Sequence, residues 1–395
     1  MRISKPEILE RNGDVVYRVR VDYSAGAQTL WYRFDKRFAD LLTDASDAPL
    51  AALLIPAMAH GEDIHLDGSI SERLYYNFSR AYQCVLRHVM PGLRRIAIRP
   101  TDVASGGRRA SGVATGFSGG IDSFCVLADH HYGSVPPGFK ITHLLFNNVG
   151  SHGAGEERLF LERFARLTPL VERLGLPYIK INSNVNAFYP VGYDFQQTHT
   201  PRNVSVALLL QRGIGRFLYA SAVSYQDAHV GRNVAMGDED TIALPLLGTE
   251  AMDAVSAGSE YTRVEKTLRV AEIPDSHETL DVCTSPDRAG NCSVCWKCMR
   301  TLLTLDIAGL LERYARVFDL DAYRGRRRKY IGVVLRSRDA LLREVARFIK
   351  QQRYPVPLAS RLYLVFYWPG TAVKRTYRLA KRMLQRLARG KPANP

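Results

Sequence analysis

The stretch around residues 113–128 constrains the fold more than any other part of the chain. Val113, Ala114, Thr115, Gly116 and Phe117 form an apolar run suited to a buried strand. Ser118, Gly119, Gly120, Ile121, Asp122 and Ser123 then make a tight turn, and Phe124, Cys125, Val126, Leu127 and Ala128 continue as the apolar side of a helix. A strand that turns straight into a helix belongs to a parallel sheet covered by helices. Two glycines let the backbone approach a polyanion closely, and free N–H groups at a helix start favour negative charge there. The hydroxyls of Ser118 and Ser123 add donors. These residues predict a pyrophosphate cradle, with ordinary Ser/Gly/Asp turn chemistry as the plainer alternative. A carboxylate at Asp122 beside phosphate calls for Mg2+ between them, or for a role in orienting the loop and capping its helix.

The surrounding sequence supports an α/β fold with a Rossmann-like parallel sheet. Strands are expected at 113–117, 142–147, 178–182 and 217–221, separated by helices such as 156–174. In such sheets ligands bind at the carboxyl ends of the strands, where Ser118 falls. The 395 residues suffice for two or three domains. Residues 1–104 read as a small α+β domain: 15–21 and 29–34 alternate as a hairpin around Ala25 and Gly26, and a helix follows in which Leu74, Phe78, Tyr82, Val85, Leu86 and Val89 recur at helical spacing. Ser69 and Glu72 are read as its capping box. A Gly/Ser/Arg-rich stretch at 104–112 leads into the expected nucleotide-binding catalytic domain, 105–312, which carries the four-cysteine site, and residues 313–395 are read as a basic helical tail.

Cys283, Cys292, Cys295 and Cys298 are spaced Cys-x8-Cys-x2-Cys-x2-Cys and account for four of six cysteines. Four thiolates close a tetrahedral zinc shell and leave no position for water, so a structural zinc is expected. Disulfides or an iron–sulfur cluster are the alternatives. Disulfides need an oxidising compartment, and the charged opening residues 1–11 carry no apolar signal core, which favours a cytoplasmic setting. Cys84 and Cys125 fall in apolar helical patterns and are expected in the core.

Together, the Ser118-Gly119-Gly120-Ile121-Asp122-Ser123 turn and the four cysteines resemble the PP-loop ATP pyrophosphatases, and within them the 7-cyano-7-deazaguanine synthase family of queuosine biosynthesis. The resemblance runs from about residue 112 to 310. It implies an ATP-dependent ligase that cleaves ATP to AMP and pyrophosphate, activates a small-molecule carboxylate and lets ammonia displace AMP. Thr200, Pro201, Arg202 and Asn203 look like the family's segment that opens a helix beside the nucleotide, which makes Arg202 and Asn203 nucleotide-binding candidates. Lys266, after the last strand, is a candidate to assist departing pyrophosphate, with a solvated helix face as its alternative. Asp238, Glu239 and Asp240 read either as a magnesium-holding cluster or as a solvated acidic loop, and they are left outside the expected site. Where the family carries Tyr-Gly-Gln-x-His, this chain has Phe146, Asn147, Asn148, Val149, Gly150, Ser151 and His152. The acceptor-binding residues therefore do not carry over, and the acceptor is left open.

Charge is uneven. Residues 324–395 hold 20 Lys plus Arg against Asp339 and Glu344, a net of +18, while the rest nets −3. Arg326, Arg327, Arg328 and Lys329 make a compact patch, 374–391 reads as a basic helix, and 362–368 is apolar and aromatic. The uncharged run 362–373 is too short to span a bilayer. The tail suits an anionic inner membrane surface, RNA or a protein partner, and a homodimer is compatible with the chain. Three functions follow as expectations: an adenylating ligase, a PP-loop tRNA-modifying enzyme, or a non-catalytic nucleotide-binding protein.

Overall fold

A computed structural model describes residues 1–152, 156–232, 235–285 and 287–360. Its eleven strands are β1 (Arg2–Ile3), β2 (Glu7–Arg11), β3 (Asp14–Tyr23), β4 (Gly26–Asp35), β5 (Ile64–Ser71), β6 (Ile98–Ala104), β7 (Gly112–Gly116), β8 (His143–Asn148), β9 (Tyr178–Ser183), β10 (Ile214–Ala220) and β11 (Asp253–Ala257). They form one sheet in the order β11-β10-β7-β8-β9-β4-β3-β1-β5-β6, with β2 paired to β3. From β11 to β9 every pairing is parallel. The fold is thus α/β with a mostly parallel central sheet, compatible with a Rossmann-like arrangement.

β7 is buried along nearly its whole length, as a central parallel strand must be. The chain runs outward from it through β8 and β9, then returns to place β10 on its other side. Strand order therefore reverses at β7, and the crevice beyond its carboxyl end is where such sheets bind ligands.

The N-terminal hairpin alternates as expected, with Val15, Tyr17, Val19 and Val21 buried on one face. It joins the same sheet: Tyr32 pairs with Ser183 and Arg33 with Asn182, antiparallel, and the Tyr32 hydroxyl lies 2.9 Å from Ser205 Oγ. Helix Asp47–His60, buried along most of its length, packs on helix Phe195–Leu209 under this face. A second core on the other face combines helices Ile121–Leu127, Arg263–Val270, Trp296–Ile307, Leu320–Arg336 and Ala340–Gln351.

Several local expectations change. Ser69 lies in β5, and Ser71 is the N-cap of the following helix, accepting from Leu74 N at 3.2 Å. Pairing to β6 runs through Ser71, the last residue of β5, so the helix and its cap begin there. Cys125 is buried, but Cys84 faces solvent. Pro201 does not open a helix: Asp194 caps helix Phe195–Leu209, and Pro201 sits in its second turn. The acidic loop is not solvated, because Glu239 and Asp240 are fully buried. Burial lifts Asp240 to about 7, and its Oδ1 accepts from Thr200 Oγ1 at 2.6 Å. The apolar run 362–368 and basic segment 374–391 lie outside the described residues. No helix among those described is long and apolar enough to cross a membrane.

Candidate functional site

The turn after β7 faces a cavity of ≈ 1260 Å³. That exceeds the usual space for one small ligand and leaves room for a nucleotide beside a second reactant. Gly119 has φ +74°, a conformation that favours glycine, and a Cβ there would also press on Leu167 Cδ2 at 2.8 Å. Gly120 is the N-cap of helix Ile121–Leu127, which continues through a wider turn at Ala128–Tyr132. Ser118 is exposed, whereas Ser123 is buried and donates to Gly120 O at 3.0 Å, a bond that shapes the loop.

Asp122 does not cap this helix. Its carboxylate lies 2.7 Å from an Arg263 guanidinium nitrogen and 3.4 Å from Lys266 Nζ. Burial opposes its ionisation, but Arg263 and Lys266 outweigh that and hold Asp122 below the usual carboxylate range. Lys266 also donates to Ser221 O at 2.5 Å, and Arg263 to Ala222 O at 3.0 Å. Both cations are buried, so the solvated-face reading of Lys266 is wrong: the Thr262 capping box starts helix Arg263–Val270 with this face turned inward. Two cations already answer the Asp122 charge. Its surroundings are a cation-binding partner set for Arg and Lys, and they do not fit a dedicated magnesium ligand.

Asn203 lines the cavity, accepting from Asn147 Nδ2 at 3.1 Å and donating to His199 O at 2.8 Å. Arg202 does not reach it. It is wholly buried, stacked 3.5 Å over the Tyr189 ring and bonded to Val149 O and Asn186 Oδ1. Its place in the helix interior turns it to the opposite side from Asn203. His152 and His199 line the cavity as neutral imidazoles, each lowered to about 4: His152 by burial and then Arg163, His199 by burial and then Lys297 and Arg202. His199 Nδ1 sits 2.7 Å from the Tyr219 hydroxyl, and Phe195 and Phe217 complete a flat-walled end.

The four cysteine sulfurs lie within 4.8 Å of one another, a set able to hold a structural metal such as zinc. The backbone supports it: Cys295 N–H donates to Cys292 Sγ at 3.2 Å, and Ser285 N–H to Cys283 Sγ at 3.4 Å. Asp281 links this cluster to the turn at Ser118 to Ser123. Its N–H donates to Gly119 O at 2.8 Å, while its carboxylate accepts from Cys283 N at 3.2 Å and Gly290 N at 3.0 Å.

Arg163, Arg263, Lys297, Arg300 and Arg343 also line the cavity. Sequence reasoning passed over Lys297 and Arg300 because one lies between two of the cysteines and the other just after the last. Their three-residue spacing on a helix begun by Cys295 was the available signal. Family models, curated proteins and solved structures all yield no match to this chain.

Proposed function

We propose that the chain is a PP-loop ATP-dependent ligase, resembling 7-cyano-7-deazaguanine synthase, that activates a carboxylate by adenylation. One observation carries this reading: the Ser118-to-Ser123 turn, at the switch point of a parallel sheet, faces a large cavity lined with Arg263, Lys297 and Arg300. A triphosphate would rest on the turn, with the base at the flat end near Phe195, Phe217 and Asn203. An acceptor carboxylate oxygen attacks the alpha phosphorus, the bond from that phosphorus to its bridging oxygen breaks, and pyrophosphate leaves with the electron pair. The chain's part is to orient the phosphates and to stabilise charge growing on the leaving group through backbone N–H groups and fixed cations. Neutral His152 and His199 offer hydrogen bonds to a flat acceptor ring. The four cysteines would hold zinc as a structural ion.

The test is product analysis by mass spectrometry with ATP, magnesium, ammonium and a carboxylate panel that includes 7-carboxy-7-deazaguanine. AMP formed only when a carboxylate is present supports the reading, and no AMP across the panel rejects it for those acceptors.

A nucleic-acid acceptor is the second reading, favoured by Arg343, Arg347 and Lys350. They are exposed along one face of helix Ala340–Gln351, starting at the cavity rim. In sequence, residues 361–395 add further Lys and Arg and contain no Asp or Glu. RNA affinity that falls steeply with salt and drops on R347Q favours this reading.

A further inference from the structure

Helix Trp296–Ile307 begins at Cys295, and the backbone N–H groups of Trp296 and Lys297 in its first turn have no acceptor within the helix. Lys297 and Arg300 lie one turn apart on the face that lines the cavity. Cys298, Met299, Leu302 and Leu303 anchor the opposite face in the core, so the helix cannot roll the cations away. Arg300 is only 5% exposed, and its Nε has no hydrogen-bond partner. Among the described residues neither side chain forms a hydrogen bond or an ion pair. Their contact is with the Trp296 ring, at 5.4 Å for Lys297 and 5.2 Å for Arg300.

The neighbouring carboxylates are engaged elsewhere. Asp122 is taken by Arg263 and Lys266, and Asp281 by two backbone N–H groups. Positive charge is therefore left over beside the turn that Asp281 pins through Gly119. Holding a buried guanidinium without a counter-ion is costly, and an incoming anion removes that cost.

We propose that Lys297, Arg300 and the helix start at Cys295 form a pyrophosphate-binding site, which completes the cradle of the Ser118-to-Ser123 turn from the cysteine side. The assignment of this anion as the leaving group rests on the adenylation reading, whereas the site itself rests on the geometry above. The metal centre acquires a positioning duty, since Cys295 begins the helix and Asp281 ties the cysteine segment to the turn.

Calorimetric titration of the metal-replete full chain with inorganic pyrophosphate tests the site. K297Q and R300Q should each weaken binding about tenfold or more, the usual worth of charge-assisted hydrogen bonds. R300K should lose less than R300Q, and R18Q, on the distant hairpin, should match the parent. Metal content should be unchanged throughout. Failure of the parent protein to bind pyrophosphate overturns the proposal. So does binding within about twofold of the parent by folded, metal-replete K297Q and R300Q. If the variants weaken pyrophosphate as expected but no carboxylate yields AMP, the anion site stands and adenylation falls. If AMP forms while pyrophosphate affinity ignores both variants, adenylation stands and this site falls.

Discussion

Replacing Asp122 by Asn removes the shared counter-charge of two buried cations, and the consequence can be sized. Arg263 and Lys266 are 7% and 1% exposed, and Asp122 is their carboxylate partner at 2.7 and 3.4 Å. Removing one partner of a buried ion pair costs about 3–5 kcal/mol, because the remaining charge is left uncompensated. The Asp122 side chain is 31% exposed, so solvent screens part of the interaction and the lower end, about 3 kcal/mol, is expected. That is a large share of a typical total of about 5–15 kcal/mol, so D122N should stay folded but denature at clearly lower urea. Adding K266M removes one stranded charge and should recover part of the loss, with a coupling of about 1–2 kcal/mol. The pH dependence has a definite sign. Asp122 titrates below its unfolded value, so its contribution is full above about pH 4 and disappears as pH falls through the folded value. The gap between parent and D122N should therefore close in acid. Equilibrium urea unfolding from pH 7 down to pH 3 measures all three quantities. A D122N loss under about 0.5 kcal/mol at neutral pH, a gap that widens in acid, or further destabilisation by K266M would refute the reasoning.

Asp240 gives the opposite pH signature. Its folded value of about 7 is raised by burial, so its share of stability is full below about pH 4 and lost as pH rises towards 7, a span worth on the order of 4 kcal/mol. D240N keeps an oxygen for the Thr200 hydroxyl and should lack that decline, which paired urea titrations at pH 4, 5.5 and 7.5 will reveal. Parallel curves for the two proteins would mean that Asp240 ionises normally. Metal removal should act on the segment around Asp281. Chelation, or C295S, should strip one metal ion per chain, lower the melting temperature and increase hydrogen exchange at Gly119 to Ser123 more than in the hairpin of β3 and β4. A full-length protein that contains no bound metal, or exchange unchanged at the turn, speaks against this coupling.

Periodicity and turn chemistry made much of the scaffold legible. The β7 run, the glycine turn, the following helix and the β3–β4 hairpin are local patterns whose physics is complete within about ten residues. The four-cysteine cluster was equally readable, because short spacings leave few ways to keep the thiols apart. Local reading failed where burial decided. Arg202 and Asn203 are adjacent in sequence, yet helix rotation sends one into a core of Tyr189 and Asn186 and the other to the cavity. Lys266 and Asp240 look like solvent-facing charges in the sequence, and each is buried by packing against distant elements.

The sequence by itself determined the strand–turn–helix unit, the cluster of four thiols and the excess of cations, since each depends on residue type and short spacing. Only the tertiary structure decided that residues 2–104 extend the same sheet through β4 and β9, that Arg263 and Lys266 converge on Asp122, and that Lys297 and Arg300 stand beside the turn without an ion-pair partner among the described residues. These groups lie more than a hundred residues apart along the chain. Which of them meet is fixed by strand order and helix packing, and the charge of a side chain acquires chemical meaning only once its neighbours and its distance from water are set.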